Sequence, residues 1–175
     1  ILFKVYTSLA DGSAGIDAPR YWAVKTDRGW VKSNKEGMGA IPLVTFLPES
    51  GTQILDFADR TAKKMIERAM ADGRMLGHPG VWAAEQEKVL VMVRNFIQYD
   101  VEKCASENRF PALFELQFGT LRDEAGAVSA VELERDAEVI KLHGKIDRVD
   151  LVFAETGILQ KVRVLDYKGL SRSGG

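Results

Sequence analysis

The chain has 175 residues, of which 46% are apolar and 28% charged, enough for one domain with a true core. Basic and acidic residues number 24 and 25, a net charge of −1, so overall charge gives no push toward nucleic acid or membrane. A single cysteine, Cys104, excludes an internal disulfide framework and a four-cysteine zinc or iron–sulfur site, and it fits a reducing, cytoplasmic setting. No apolar run nears the roughly 20 residues of a bilayer span, so no membrane association is expected. Ile1 in place of Met, and an end at Gly175 soon after a patterned strand, read as a piece of a longer polypeptide.

Within residues 1–50, turn signals at Asp11-Gly12, Gly15, Gly37 to Gly39 and Pro42 separate short apolar runs such as Tyr21-Trp22-Ala23-Val24 and Leu43-Val44-Thr45-Phe46. They predict strands and loops without a clear helix. From Ser50 the period changes. Ile54, Leu55, Ala58, Ala62, Met65, Ile66 and Ala69 recur at helical spacing as far as Asp72-Gly73, which predicts an amphipathic helix. Gly77-His78-Pro79-Gly80 is a turn, with His78 expected as a surface loop residue. Beyond it, Val89, Leu90, Val93, Phe96, Ile97 and Val101 form the apolar stripe of a second helix. After Pro111 the period drops toward two, and strands are expected over 113–118, 127–133, 139–153 and 159–167. Helices followed by a strand meander predict an α/β (α+β) unit over residues 51–175, preceded by an irregular, strand-containing segment at 1–50.

The chemistry concentrates near the end, in Gly144-Lys145-Ile146-Asp147-Arg148-Val149-Asp150 and Val164-Leu165-Asp166-Tyr167-Lys168. Thr156-Gly157 reads as a two-residue hairpin turn. Glu155 then opposes Ile158, and counting outward puts Asp147 opposite Asp166. Facing carboxylates on neighbouring strands destabilise a sheet unless a cation intervenes. Magnesium or manganese suits two hard oxygen donors and keeps positions open for water and phosphate. By alternation, Lys168 shares the face of Asp166, and His143 has the parity of Asp147. Asp150 opposes Arg163, an exposed cross-strand pair contributing about 0–1 kcal/mol, and is therefore set outside the metal site. Residues 141–175 hold seven basic and four acidic side chains, whereas residues 1–140 hold 17 and 21. That reversal suits a phosphate polyanion held beside a metal, and the N-terminal half is expected to offer no compensating basic patch.

Three segments in succession carry a resemblance: Phe114-Glu115-Leu116-Gln117-Phe118-Gly119, the Gly144 to Asp150 string, and Leu165-Asp166-Tyr167-Lys168-Gly169. Together they resemble the RecB-like nucleases of the PD-(D/E)XK superfamily, most closely the nuclease domain of the bacterial ATP-dependent helicase/deoxyribonuclease. The resemblance implies a restriction-endonuclease-like core, a mixed central sheet flanked by helices, and metal-dependent exonuclease-type hydrolysis of DNA in repair or recombination. It makes Asp147 and Asp166 metal ligands and Lys168 the residue that assists the attacking water, with Glu115 and His143 as further site candidates. Lys145, Arg148 and Arg172 become DNA contacts. The implied partners are single-stranded DNA or duplex ends, and a helicase subunit or domain. Relatives usually carry a histidine ligand near the start of the first core helix; here that helix begins Gly51-Thr52-Gln53-Ile54-Leu55-Asp56, leaving Asp56 as the candidate replacement. The cysteines of an iron–sulfur cluster are not in evidence. The alternative from another class is a catalytically inactive nuclease fold that serves as a DNA-binding or structural subunit. A phosphate-cradling Gly-x4-Gly-Lys loop and a dinucleotide fingerprint are both missing from the sequence.

Overall fold

The computed structural model describes residues 1–73, 78–119, 129–135 and 138–167. Among the described residues three α-helices, α1 (Leu2–Ala10), α2 (Gly51–Ala71) and α3 (Pro79–Ser106), accompany eight strands. The first three strands, β1 (Tyr21–Thr26), β2 (Gly29–Ser33) and β3 (Ile41–Leu43), form a small sheet in the order β2-β1-β3. Strands β4 (Arg109–Phe118), β7 (Gly144–Phe153) and β8 (Leu159–Leu165) form the central sheet in the order β4-β7-β8, and β5 (Val131–Arg135) pairs with β6 (Glu138–Leu142). Every pairing among the described residues is antiparallel. No described helix is long and apolar enough to cross a membrane.

Helix α2 buries Ile54, Ala58 and Ala62 at intervals of four, a narrow stripe whose small alanines allow close approach to α3. Helix α3 answers with Val93, Ile97, Val101 and Cys104. It starts where His78 acts as N-cap, its Nδ1 accepting the Gly80 N–H at 3.2 Å, with Pro79 in the first turn. His78 is thus a helix cap rather than a plain loop residue. The helix ends as Asn108 turns into left-handed backbone, φ +47, a conformation asparagine tolerates.

Helix α1 contradicts the expectation of strands and loops alone over residues 1–50. Leu2, Val5, Tyr6 and Leu9 are spaced i, i+3, i+4 and i+7, but in so short a run the aromatic and β-branched residues suit a strand equally well. Packing decides. Val5 and Tyr6 are fully buried in the cluster that holds Ile54 and Ile97, and the Tyr6 ring stacks on Phe114 of β4 at 5.1 Å.

Strand β7 therefore has two buried faces. Val149, Leu151 and Phe153 pack with Ala23, Leu43 and Phe110 beside the small sheet. The alternate residues Arg148 and Asp150 point toward α1 and α3. One end of the strand, leading to Asp147, projects beyond this double cover, since exposure rises from Arg148 back to Lys145.

Candidate active site

The β7–β8 hairpin reaches the expected register by an unexpected route. Gly157 donates to the Ala154 carbonyl at 2.9 Å and Ala154 donates to the Ile158 carbonyl at 2.9 Å, so the loop comprises Glu155, Thr156 and Gly157, the last at φ +80. Glu155 does not oppose Ile158. The turn is one residue longer than a two-residue loop and ends in the left-handed residue typical of three-residue hairpins. Phe153 then pairs with Leu159, whereas Val152 pairs with Lys161. Gln160 is the extra residue of a bulge, and the bulge restores the register that a two-residue turn gives. The ladder runs to Arg148↔Leu165, which leaves Asp147 and Asp166 as the next residues on the two strands.

Asp147 is half-buried, and its Oδ2 accepts the backbone N–H of Tyr167 at 2.7 Å. The chain leaving β8 is thereby tied to the carboxylate. Asp166, between these two points, is exposed. On the opposite side of β7, Phe114↔Arg148 and Leu116↔Ile146 flank Glu115 and Asp147. Glu115, Asp147 and Asp166 thus succeed one another across β4, β7 and β8. Glu115 holds φ +54, a left-handed conformation costing a non-glycine residue about 1–2 kcal/mol; such strain persists only where surrounding structure holds it. Its carboxylate pairs with Lys145.

The remaining candidates fall elsewhere. His143 is exposed between β6 and β7, against Gly119, where an added Cβ would lie 2.7 Å from the His143 Cβ. Asp56 is exposed on α2, on the side away from Ile54, Ala58 and Ala62. Lys168 and Arg172 lie outside the described residues. Among those described, no three His, Cys, Asp or Glu side chains are grouped to hold a metal ion. Asp147 and Asp166 follow the last ladder pair on their two chains, and two hard oxygen donors at that position would fit a hard divalent cation that takes its other ligands from water and phosphate.

Arg148 does not sit at the surface as a DNA contact requires. It is fully buried, its Nε and Nη2 donating to Asp150 at 2.5 and 2.8 Å and its Nη1 to Asp100 of α3. Tyr6 donates to the same Asp100, and its ring lies 4.8 Å below the Arg148 guanidinium. Arg109 adds longer ion pairs of 3.6 Å to both Asp100 and Asp150. Two cations and two anions balance in the interior, the condition under which buried charge is tolerated. Asp150 opposes Arg163 in the backbone ladder as expected, but its carboxylate turns inward to Arg148, and Arg163 pairs with Glu107 at 2.6 Å.

Burial alone would lower the pKa of Arg148; the hydrogen bond to Asp150, with Tyr6 and Asp100, outweighs it and locks the positive charge. Burial, reinforced by Asp100, pushes the Cys104 thiol up to about 12 and raises the Tyr6 phenol. Burial also raises Tyr167, against the pull of Arg148. The Tyr167 hydroxyl lies 3.5 Å from Arg148 Nη1, so one residue ties the buried network to the Asp147 carboxylate. Sequence reasoning missed Asp100 and Tyr6. The signal for Asp100 was a charge on the apolar stripe of α3, three residues after Ile97.

The family model of the PD-(D/E)XK nuclease superfamily matches residues 47–174, and the chain belongs to that superfamily, whose members are typically nucleases. No curated protein and no solved structure matches.

Proposed function

We propose that the chain is a metal-dependent deoxyribonuclease of RecB-like type, similar to the nuclease domain of the bacterial ATP-dependent helicase/deoxyribonuclease. Its nuclease unit occupies residues 51–175, and it hydrolyses DNA from ends during repair or recombination in the cytoplasm, alongside a helicase subunit or domain. The observation that carries this reading is the placement of Asp147 and Asp166 at adjoining ends of β7 and β8, with the Tyr167 N–H on Asp147. These two carboxylates would hold Mg²⁺ or Mn²⁺, which supplies polarisation of the scissile phosphate and an acidified bound water. The Tyr167 N–H restrains the Asp147 carboxylate, which would hold the ion. Lys168, two residues after Asp166 in the sequence, would assist the attacking water. Glu115 restrains Lys145 at the entrance, where that lysine meets the backbone of the bound strand.

The test is magnesium-dependent cleavage of end-labelled single-stranded and duplex DNA. Asp147→Asn and Asp166→Ala should each abolish cleavage and leave the thermal unfolding midpoint nearly unchanged, because both residues lie at the open end of the sheet. Unaltered cleavage by either folded variant overturns the assignment. A wild-type protein that binds DNA and leaves it intact in both metals supports the inactive, DNA-binding alternative.

A further inference from the structure

We propose that the groove between α1 and the C-terminal half of α2 binds the phosphodiester backbone of single-stranded nucleic acid, as a surface separate from Asp147 and Asp166. An open groove of about 930 Å³ lies there, lined by Lys4, Arg60, Lys64 and Arg68 with one acid, Asp72. All four cations are exposed, and among the described residues none has a carboxylate within ion-pair distance. The contrast with the β7–β8 region is what gives the groove its weight. There, among the described residues, Lys141, Lys145, Arg148 and Arg163 are each paired with an acid and Lys161 is not, so most of the described positive charge of that region is already matched.

Arg60, Lys64 and Arg68 recur every four residues on one face of α2, about 6 Å apart along the helix axis. They form a line of cations on the scale of successive phosphates in an extended strand. Phe3 and Phe57 line the same groove, and Phe3 is 47% exposed. A cationic track beside an exposed aromatic ring, that of Phe3, is the combination that holds single strands without sequence preference, phosphates on the charges and a base on the ring. The groove and its charge stand independently of the catalytic reading; the choice of nucleic acid over other polyanions rests on that reading.

Binding of fluorescein-labelled oligothymidylate, followed by anisotropy in EDTA across a salt series, tests this without any cleavage. Arg60→Gln/Lys64→Gln/Arg68→Gln should weaken binding roughly tenfold or more and reduce the salt slope by about 2, at about 0.7 per lost contact on single strands. Lys25→Gln/Arg28→Gln/Lys35→Gln removes equal charge from exposed positions near the small sheet and should change the slope far less. Equal losses in the two triple variants, or none in the first, overturn the proposal. Phe3→Ala should weaken binding to oligothymidylate but not to an abasic strand; the same loss on both strands also overturns it. Polyglutamate competing as well as oligothymidylate at equal charge overturns the ligand class. Intact groove binding in a protein that cleaves nothing refutes the catalytic reading alone and sustains this one.

Discussion

Two aspartates three residues apart, Asp147 and Asp150, share a strand and meet opposite environments. The first lies at the projecting end of β7, and the second is fully buried with two hydrogen bonds from Arg148. Alternation separated them onto different faces, which was legible in the sequence. The partner of Asp150 was not, because backbone register says which residues are opposite and not where a long side chain turns. The expected cost of Asp150→Asn changes accordingly. Loss of one member of a buried charge set leaves the others uncompensated, so a destabilisation of about 3 kcal/mol or more is expected, read from urea unfolding, in place of the 0–1 kcal/mol of an exposed pair. A pH dependence follows from Cys104. The folded state holds its proton to about 12, against an ordinary thiol value of 9.0, so the unfolded chain binds fewer protons between those limits and stability falls as pH rises through that window. The raised Tyr6 and Tyr167 act with the same sign above the ordinary phenol value of 10.0. The urea midpoint should therefore decline as pH rises above about 8.5. Cys104→Ala, whatever its midpoint at neutral pH, should show a shallower decline at the onset of that window.

At the scale of elements, periodicity found α2, α3, β4, β7 and β8, but it ran β6 and β7 together as one strand over 139–153, which the structure breaks at His143, and the expected strand over 127–133 lies partly outside the described residues. It failed for α1, nine residues whose helical state depends on α2, α3 and β4 being there to bury Val5 and Tyr6. The β7–β8 hairpin is a different case, in which the register was right and the loop was wrong. Its two irregularities, the Gly157 turn and the Gln160 bulge, offset each other, and they can be separated by mutation. Gly157→Ala meets no closer neighbour than the Lys32 carbonyl at 3.7 Å, so its cost is the left-handed backbone alone, about 1–2 kcal/mol, with cleavage retained. Deleting Gln160 removes the bulge, because Leu159 stays opposite Phe153 and Lys161 then follows directly opposite Val152, so every later pair is kept. Asp166 stays beside Asp147, and magnesium-dependent cleavage should be retained.

Across the whole molecule, the segment before residue 51 is built into the interior. Val5, Tyr6, Val44 and Phe46 belong to the cluster under α2 and α3, and Ala23 and Leu43 to the cluster against β7. A chain beginning at Ser50 should lose cooperative thermal unfolding, checked by calorimetry, because both clusters open to water and the Arg148 network loses its cover. Charge shows the limit of sequence reading at this scale. The excess of acid over residues 1–140 concealed a basic groove, because a sum along the chain discards the helical spacing that gathers Arg60, Lys64 and Arg68 on one side. The domain is also tied together in time. The hydrogen bond from Arg148 to Tyr6 joins residues 142 positions apart, so α1 has no finished binding place until β7 exists. At about 5–20 residues per second of synthesis, Tyr6 waits roughly 7–28 s for Arg148 to be made. Throughout that interval the Tyr6 hydroxyl and Asp100 lack the guanidinium that completes their network, and the strand that carries Asp147 has not yet been made.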